Sequence, residues 1–559
     1  MNEGTGRRSS SIHAEAWHLK VSPRFAGPVD CYEGEHVSAD CGNSSRLPVY
    51  IGGPCRGRPA RGSADSVAAR SRPEVTRMAR RTKILATIGP ASESPEIIRG
   101  MIRAGMDAVR INLSHGGLDD ALAMHRRVRQ IAAEEGRTIG TLADLPGPKV
   151  RAASFGREGV ELSDGQRVRL VPGTDRSTAH VIQIGYEDLL EGIEPGDRIS
   201  FGDGGIDAVV VGATGDSLEA DVLHGGHVSG RPGVHIPSNR LRISPPTADD
   251  LRLLDVFVAE GVDMVALSFV GSAHDIRRLG TEPHPRGPLV IAKIETRSAV
   301  ENLAGIIDAA GAVMVARGDL GIEFPMEEVP HLQKMIIREC IARGRPAITA
   351  TQMLDSMAQA PTPTRAEATD VVNAVFDGSS VVMLSGETAV GNNPVNVVST
   401  MARLCARADE NFDTHAWMRL VAPLQTEGGE SEVAMSGRIT DTMTSAATRV
   451  AETLGASAIL CLTRSGLTVR AIARFRPTAP ILGFSTDERV RRQLSISWGA
   501  TPLSISRFAD NDAMVREAVQ TARAAGHVRT GDIVVVLAGV DGSSPATDVL
   551  RVVNVPEAG

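Results

Sequence analysis

Aromatic residues are scarce in this chain. They make up 3% of 559 positions, and 60 lysines and arginines are outnumbered by 67 aspartates and glutamates, for a net charge of -7. That combination excludes a nucleic-acid surface built from basic grooves and stacking rings and points to a small-molecule ligand. No apolar run approaches the roughly 20 residues that cross a bilayer, and no short apolar stretch near the N-terminus reads as a secretory signal. A soluble, cytoplasmic protein is expected, with no membrane or nucleic-acid partner. Cysteine is sparse too. Cys31, Cys41, Cys55, Cys340, Cys405 and Cys461 include no CxxC pair and no histidine partner at metal-ligand spacing, the pattern of free thiols in a reducing compartment. Three of them fall in residues 1–77, a stretch of Arg, Ser, Gly and Pro without periodicity that reads as a disordered extension, a disulfide or metal knuckle being the alternative. Met78 stands directly before ordered-looking sequence and is a candidate start of translation.

Familiar catalytic motifs are also missing. There is no GxxxxGK(S/T) loop, no HExxH, no GxSxG, and no GxGxxG opening a helix after a strand. Any nucleotide phosphate must therefore be held by metal and scattered cations. Ser114 and His115 do not form a catalytic pair by adjacency, because neighbours on a strand point apart.

The length predicts roughly three or four domains, and a hydrophobic content of 42% supports buried cores. From Lys83 onward, short β-branched runs alternate with helical stretches, the pattern of parallel strands joined by helices. Candidate strands end near Ile88, Leu113, Asp144, Phe269, Glu295, Arg317, Thr351 and Ser385. Most ends are about 22 to 34 residues apart, one strand–helix unit, but 125 positions separate Asp144 from Phe269. The expected fold is α/β, a (β/α)8 TIM barrel over 78–149 and 245–425. A small β-barrel lid is inserted at 150–244, and a C-terminal α/β regulatory domain covers 435–559. Pro146 and Pro148 before the insertion and Pro245-Pro246 after it suit a rigid body on two hinges.

In such a barrel, polar residues at the C-terminal strand ends carry functional weight. Strand two ends with Arg110, Asn112 and Ser114 on one face, and strand five ends Lys293-Ile294-Glu295, aligning an ammonium with a carboxylate. Strand six brings Asp319 to the same rim, and two carboxylates with open coordination positions suit Mg2+ or Mn2+. Gly318 opens a short helix whose free N–H groups can receive a substrate anion, or it only turns the chain. Hydroxyls at the ends of strands seven and eight, Thr351 and Ser385 among them, can relay a proton through water or act as local helix caps. The barrel reads as a metal enzyme for an anionic substrate, performing phosphoryl transfer or aldol chemistry through an enolate; a catalytically silent effector-binding scaffold is the remaining possibility.

Longer runs narrow this. Thr82-Lys83-Ile84 to Ser92, Arg110 to His115, Ile291 to Glu295, Arg317 to Gly321, Ala350 to Met357 with Pro363 to Glu367, and Met383 to Ala389 together resemble the pyruvate kinase family, collinearly from about Lys83 to the C-terminus. The resemblance implies phosphoenolpyruvate and ADP/ATP as ligands, with Glu295 and Asp319 holding Mg2+ or Mn2+. It implies Lys293 and Arg110 balancing charge on the transferred phosphoryl group, Gly318 and Asp319 holding the substrate carboxylate, and Thr351 in proton delivery. Asn112, His115, Arg151 and Arg231 fall at nucleotide-binding positions, and Asp203 matches an acidic residue of the lid. Many members bind K+ through counterparts of Asn112, Ser114, Asp144 and a Thr that is Leu145 here, and Lys149 stands where those members have an acidic residue. An internal ammonium replacing the cation implies K+-independent activity. Pro232 replaces a lid lysine, leaving Arg231 as the candidate contact to ADP. Thr463, Arg464, Ser465, Gly466 and Thr468 resemble the family's loop for phosphorylated effectors, or are an ordinary capped helix start. Ser543 to Asp548 lacks the usual glycine, and a homotetramer is the family expectation.

Overall fold

The computed structural model describes residues 80–202, 205–421, 432–506, 511–539 and 547–557. The expectations for residues 1–77, Asp203 and Ser543 to Ala546 lie outside them. Eight parallel strands close into a barrel: Lys83–Ile88, Ala108–Asn112, Gly140–Asp144, Met264–Leu267, Leu289–Ile294, Ala312–Ala316, Ala347–Ala350 and Val381–Leu384. The eighth pairs back on the first, Val381 opposite Lys83. These strands are short apolar runs because both faces are covered. Leu85, Leu142, Met264, Ile291, Met314, Ile348 and Met383 fill the interior. Their neighbours Ile84, Ala86, Ala143, Val265, Ala292 and Val313 pack outward beneath the helices.

The insertion has its own core, drawn from Val150 to Ile236, with Phe155, Leu170, Ile184, Ile199, Phe201 and Val210 buried in it. Its strands form a six-stranded sheet and a two-stranded sheet, where a small β barrel or sandwich is expected. Val234 N donates to Val150 O (2.9 Å) and Ala152 N to Pro232 O (3.0 Å), so the two chain segments crossing into the insertion are tied together.

The C-terminal domain is a five-stranded sheet in the order Ala500–Ser504, Ile481–Ser485, Ala458–Leu462, Ile533–Ala538 and Val549–Asn554, the last strand antiparallel. Its short 3-10 turn Leu494–Ile496 inserts Ile496 among the residues of the barrel interior, at the end opposite the strand C-termini. Gly140 permits this approach: a Cβ there would stand 2.3 Å from Ser495 Oγ and 2.8 Å from Arg492 O. Among the described residues Cys340, Cys405 and Cys461 are buried free thiols, and no helix is long and apolar enough to cross a membrane.

Candidate active site

The C-terminal strand ends converge on a buried ion-pair network. Arg110 Nε lies 2.7 Å from Asp144 Oδ2, and its guanidinium also donates to Thr87 Oγ1 (3.2 Å). Lys293 Nζ donates to Ser268 Oγ (2.8 Å) and stands 2.7 Å from Glu295 Oε1 and 3.7 Å from Asp144 Oδ1. Glu295 Oε2 accepts from Phe269 N (2.7 Å). Glu295 Oε1 is buried, with the Lys293 ammonium 2.7 Å away.

Burial alone would raise the Asp144 carboxyl, yet Lys293 and Arg110 hold it below the usual carboxylate range. Burial also disfavours the Lys293 ammonium, but Asp144, Glu295 and Asp319 outweigh it and keep that group above its ordinary value. Glu295 is pushed up because burial dominates; Lys293 opposes the shift and the charge of Asp319 adds to it.

Strand six runs into the helix Arg317–Glu323, which carries half-buried Gly318 and Asp319 to the same rim. Strand seven continues into Thr351 and Gln352, both left-handed, with φ of 65° and 50°. Such non-glycine conformations cost about 1–3 kcal/mol each and persist only when their surroundings enforce them. Arg317 does so by donating to the carbonyls of Ala350, Thr351 and Gln352 while paired to Asp370 at 2.6 Å. The Gly318 N–H, expected to be free, donates instead to Thr351 Oγ1 (2.9 Å), which in turn donates to Ala350 O (2.7 Å). An incoming anion must share that amide or displace the Thr351 hydroxyl from it. At the end of strand eight, Glu387 accepts from Ser385 N (2.6 Å) and Leu354 N (3.1 Å), and Ser385 Oγ is buried without a partner among the described residues.

Arg151 spans the junction with the insertion, its guanidinium reaching Ser114 O and Arg231 O at 3.3 Å each. Asn112 Oδ1 accepts from Ser114 N (3.1 Å), and the side chains of His115 and Arg231 are exposed. Leu145 is 1% exposed beside Asp144. Lys149 is exposed at the hinge, not internal as expected, because its position follows the turn at Gly147 and faces Gly233 of the insertion. A cavity of about 1050 Å3 opens between the insertion and the barrel, lined by Arg198, Asp207 and His235 on one side and Arg297, Gly318 and Gln352 on the other. Glu323 clamps the insertion at this edge, accepting from Ser238 N (2.9 Å) and Ser238 Oγ (3.1 Å), with His235 Nε2 3.1 Å away.

In the C-terminal domain, Gly466 N donates to Thr463 Oγ1 (2.9 Å), and Gly466 is left-handed at φ 79°. Ser465 and exposed Arg464 lie on the loop they form. Thr468 is buried, and its hydroxyl is engaged with Thr547 Oγ1 at 2.6 Å, so it is not presented to a ligand in this arrangement. Sequence reasoning missed Ser268, Thr87 and Glu323. Ser268 and Thr87 are polar residues at or near strand ends, and the rule that selected Lys293 applies equally to them.

The sequence model of the pyruvate kinase barrel domain matches residues 79–398, and that of the pyruvate kinase alpha/beta domain matches 441–553. The pyruvate kinase of Clostridium acetobutylicum is 36% identical over 477 residues, covering 84% of this chain and 99% of that protein. That of Mycobacterium tuberculosis strain H37Rv is 37% identical over 488 residues, covering 86% and 99%. The crystal structure of a pyruvate kinase from Cryptosporidium parvum superposes with a TM-score of 0.77 at 29% identity, over 85% of this chain and 96% of that one. With its closed barrel, its C-terminal α/β domain and matches spanning most of its length, the chain belongs to the pyruvate kinase family and is a phosphotransferase.

Proposed function

We propose that this chain transfers the phosphoryl group of phosphoenolpyruvate to ADP, giving pyruvate and ATP, in the cytoplasm as the last step of glycolysis. The observation that carries this reading is the buried Arg110–Asp144–Lys293–Glu295 network at the strand ends, beside Asp319 and Thr351. Pyruvate formation from phosphoenolpyruvate and ADP with Mg2+ tests it; no turnover, even with sugar phosphates added, would point to the aldolase or scaffold alternatives.

The donor set fits a hard divalent cation. Glu295 Oε1 is buried with only the Lys293 ammonium against it, and Asp319 is near enough for its charge to act on Glu295. Among the described residues no group of three or more His, Cys, Asp or Glu side chains gathers as a metal cage. Two carboxylates completed by water and substrate oxygens are how Mg2+ is usually held. When bound, the metal supplies positive charge to the phosphoryl and enol oxygens. Lys293 and Arg110, already fixed by Asp144, add cations that need little reorganisation as charge develops. Gly318 N–H and the start of its helix receive the substrate carboxylate. Thr351 helps to deliver the proton to enolpyruvate through water shared with Ser385 and Glu387. Arg151 and Arg231, with Asn112 and His115, address the nucleotide, and the insertion over 150–244 closes as a lid. Residues 463–468 accept a phosphorylated effector through Arg464 and the loop's backbone, and the assembly is a homotetramer; the family relationship supports both.

Catalysis on this reading does not need K+. Leu145 places an aliphatic side chain beside Asp144, where an oxygen ligand would be required, and Lys149 carries an exposed cation at the hinge. Turnover in tetramethylammonium buffer is expected to stay within about twofold of that in K+, whereas Lys149→Glu should create a K+ requirement. Steady-state rates across the two salts check this, and a strict K+ requirement in the wild type would refute it.

A further inference from the structure

Thr351 is β-branched and left-handed at φ 65°, and Gln352 repeats the conformation at φ 50°. A positive φ at a β-branched residue is an outlier that only its surroundings can hold. One largely buried side chain meets all three carbonyls of the turn. Arg317 donates through Nε to Ala350 O (3.2 Å) and through Nη2 to the carbonyls of Thr351 and Gln352, with Met353 Sδ 2.9 Å from the same Nη2. Nη1 is committed elsewhere and fixes the fork: it donates to Asp370 Oδ2 (2.6 Å) on helix Arg365–Asp377 and to Gln333 Oε1 (3.4 Å) on helix Val329–Ala342. Each nitrogen has at least as many acceptors as hydrogens, so none of the five N–H groups is left to bind a substrate anion.

The atom that this turn positions is Thr351 Oγ1. It accepts from Gly318 N (2.9 Å) and donates to Ala350 O (2.7 Å), the carbonyl that Arg317 Nε also engages. We propose that Arg317, aimed by Asp370, is a positioning residue for proton delivery: it holds residues 350–352 in the curl that sets Thr351 Oγ1 beside Gly318, and it acts on the reaction through Thr351 alone. The proposal rests on the role given above to Thr351 in forming pyruvate. In that step the enolate left by phosphoryl transfer takes a solvent-derived proton at C3; the C2=C3 electron pair forms the new C–H bond and C2–O becomes the carbonyl. Without the fork, Thr351 and Gln352 relax toward ordinary φ and carry the hydroxyl with them, and a misplacement of about 1 Å already costs a rate factor of about 10².

A double-mutant cycle on the full chain tests this. Arg317→Leu should lower kcat for pyruvate formation about 10²-fold while the KM for ADP stays within about twofold. In a Thr351→Val background, which has already lost the hydroxyl, adding Arg317→Leu should change kcat by less than about threefold, because the residue through which Arg317 acts is gone. A second full loss there overturns the proposal. Gln352→Gly added to Arg317→Leu should recover about tenfold, since glycine takes a positive φ without strain; a general loss of packing would not be repaired by that change, and no recovery overturns the proposal. A crystal structure of Arg317→Leu gives a readout independent of turnover: Thr351 should leave the left-handed region, and an unchanged turn overturns the proposal. No pyruvate from the wild type would strike the assigned reaction and this inference with it, whereas normal wild-type turnover with an additive cycle strikes this inference alone. If Arg317→Leu fails to fold, Asp370→Asn, which removes the charge that aims the guanidinium, should show the same non-additivity with Thr351→Val at a smaller size, and additivity there is equally fatal.

Discussion

Replacing Lys293 by methionine is expected to lower kcat for pyruvate formation by about 10³- to 10⁵-fold, with a much smaller change in the KM for ADP. Methionine keeps the unbranched stem and removes only the ammonium. In the wild type that ammonium is held by three oxygens from three strand ends: Ser268 Oγ at 2.8 Å, Glu295 Oε1 at 2.7 Å and Asp144 Oδ1 at 3.7 Å. With its position set before substrate arrives, the cation meets developing negative charge without rearrangement, and fixed charges of this kind contribute most to the transition state. The loss should therefore fall on kcat. Steady-state kinetics on folded variant, with circular dichroism confirming the fold, measures it; a loss of less than tenfold would remove Lys293 from the proposed mechanism.

The second large effect is on stability. Asp144 is 2% exposed and joins Arg110 to Lys293. Asp144→Asn keeps the shape and strips the charge, leaving two cations, each only 12–13% exposed, with one counter-charge fewer. Removing one partner of a buried ion pair typically costs 3–5 kcal/mol; here the low end, about 3 kcal/mol, is expected because Lys293 keeps Glu295. The pH dependence gives the loss a signature. The Asp144 carboxyl is held below its unfolded value, so its contribution is fully present above the unfolded pKa of about 4 and disappears as pH falls through the lower folded value. The denaturation midpoints of wild type and variant should thus differ at neutral pH and converge on acidification. A gap that persists unchanged in acid would show that the carboxylate charge is not its source.

Strand-level pattern carried the fold further than the site. The sequence placed all eight barrel strand ends within two residues of those observed, because buried parallel strands are contiguous apolar runs whose ends are marked by the first polar residue. Strand Ala500–Ser504 escaped it. Pro502 lies within that strand, and proline argues against a strand except at a sheet edge, which is where this one lies. In the site, parity along a strand found Arg110, Asn112, Lys293 and Glu295. It could not find contacts between strands, so Asp144 was legible only as part of a cation region and not as the link between Arg110 and Lys293. The Gly318 amide was misread for a related reason. A helix start supplies open N–H groups locally, but the neighbouring strand brings the Thr351 hydroxyl onto this one.

The place of the insertion bears on how the molecule is made. Between the ends of strand three at Asp144 and the start of strand four at Met264, the nascent chain delivers a whole unit whose core, Val150 to Ile236, is drawn from its own sequence. That unit can fold as soon as it leaves the ribosome, while the three barrel strands already synthesised wait with open edges. The barrel closes only when Val381–Leu384 arrives to pair with Lys83–Ile88, the most distant strand pairing in the sheet. Biogenesis therefore exposes the first three strands to mispairing for the time it takes to translate the other five, and the chaperone demand of this enzyme should fall on that interval.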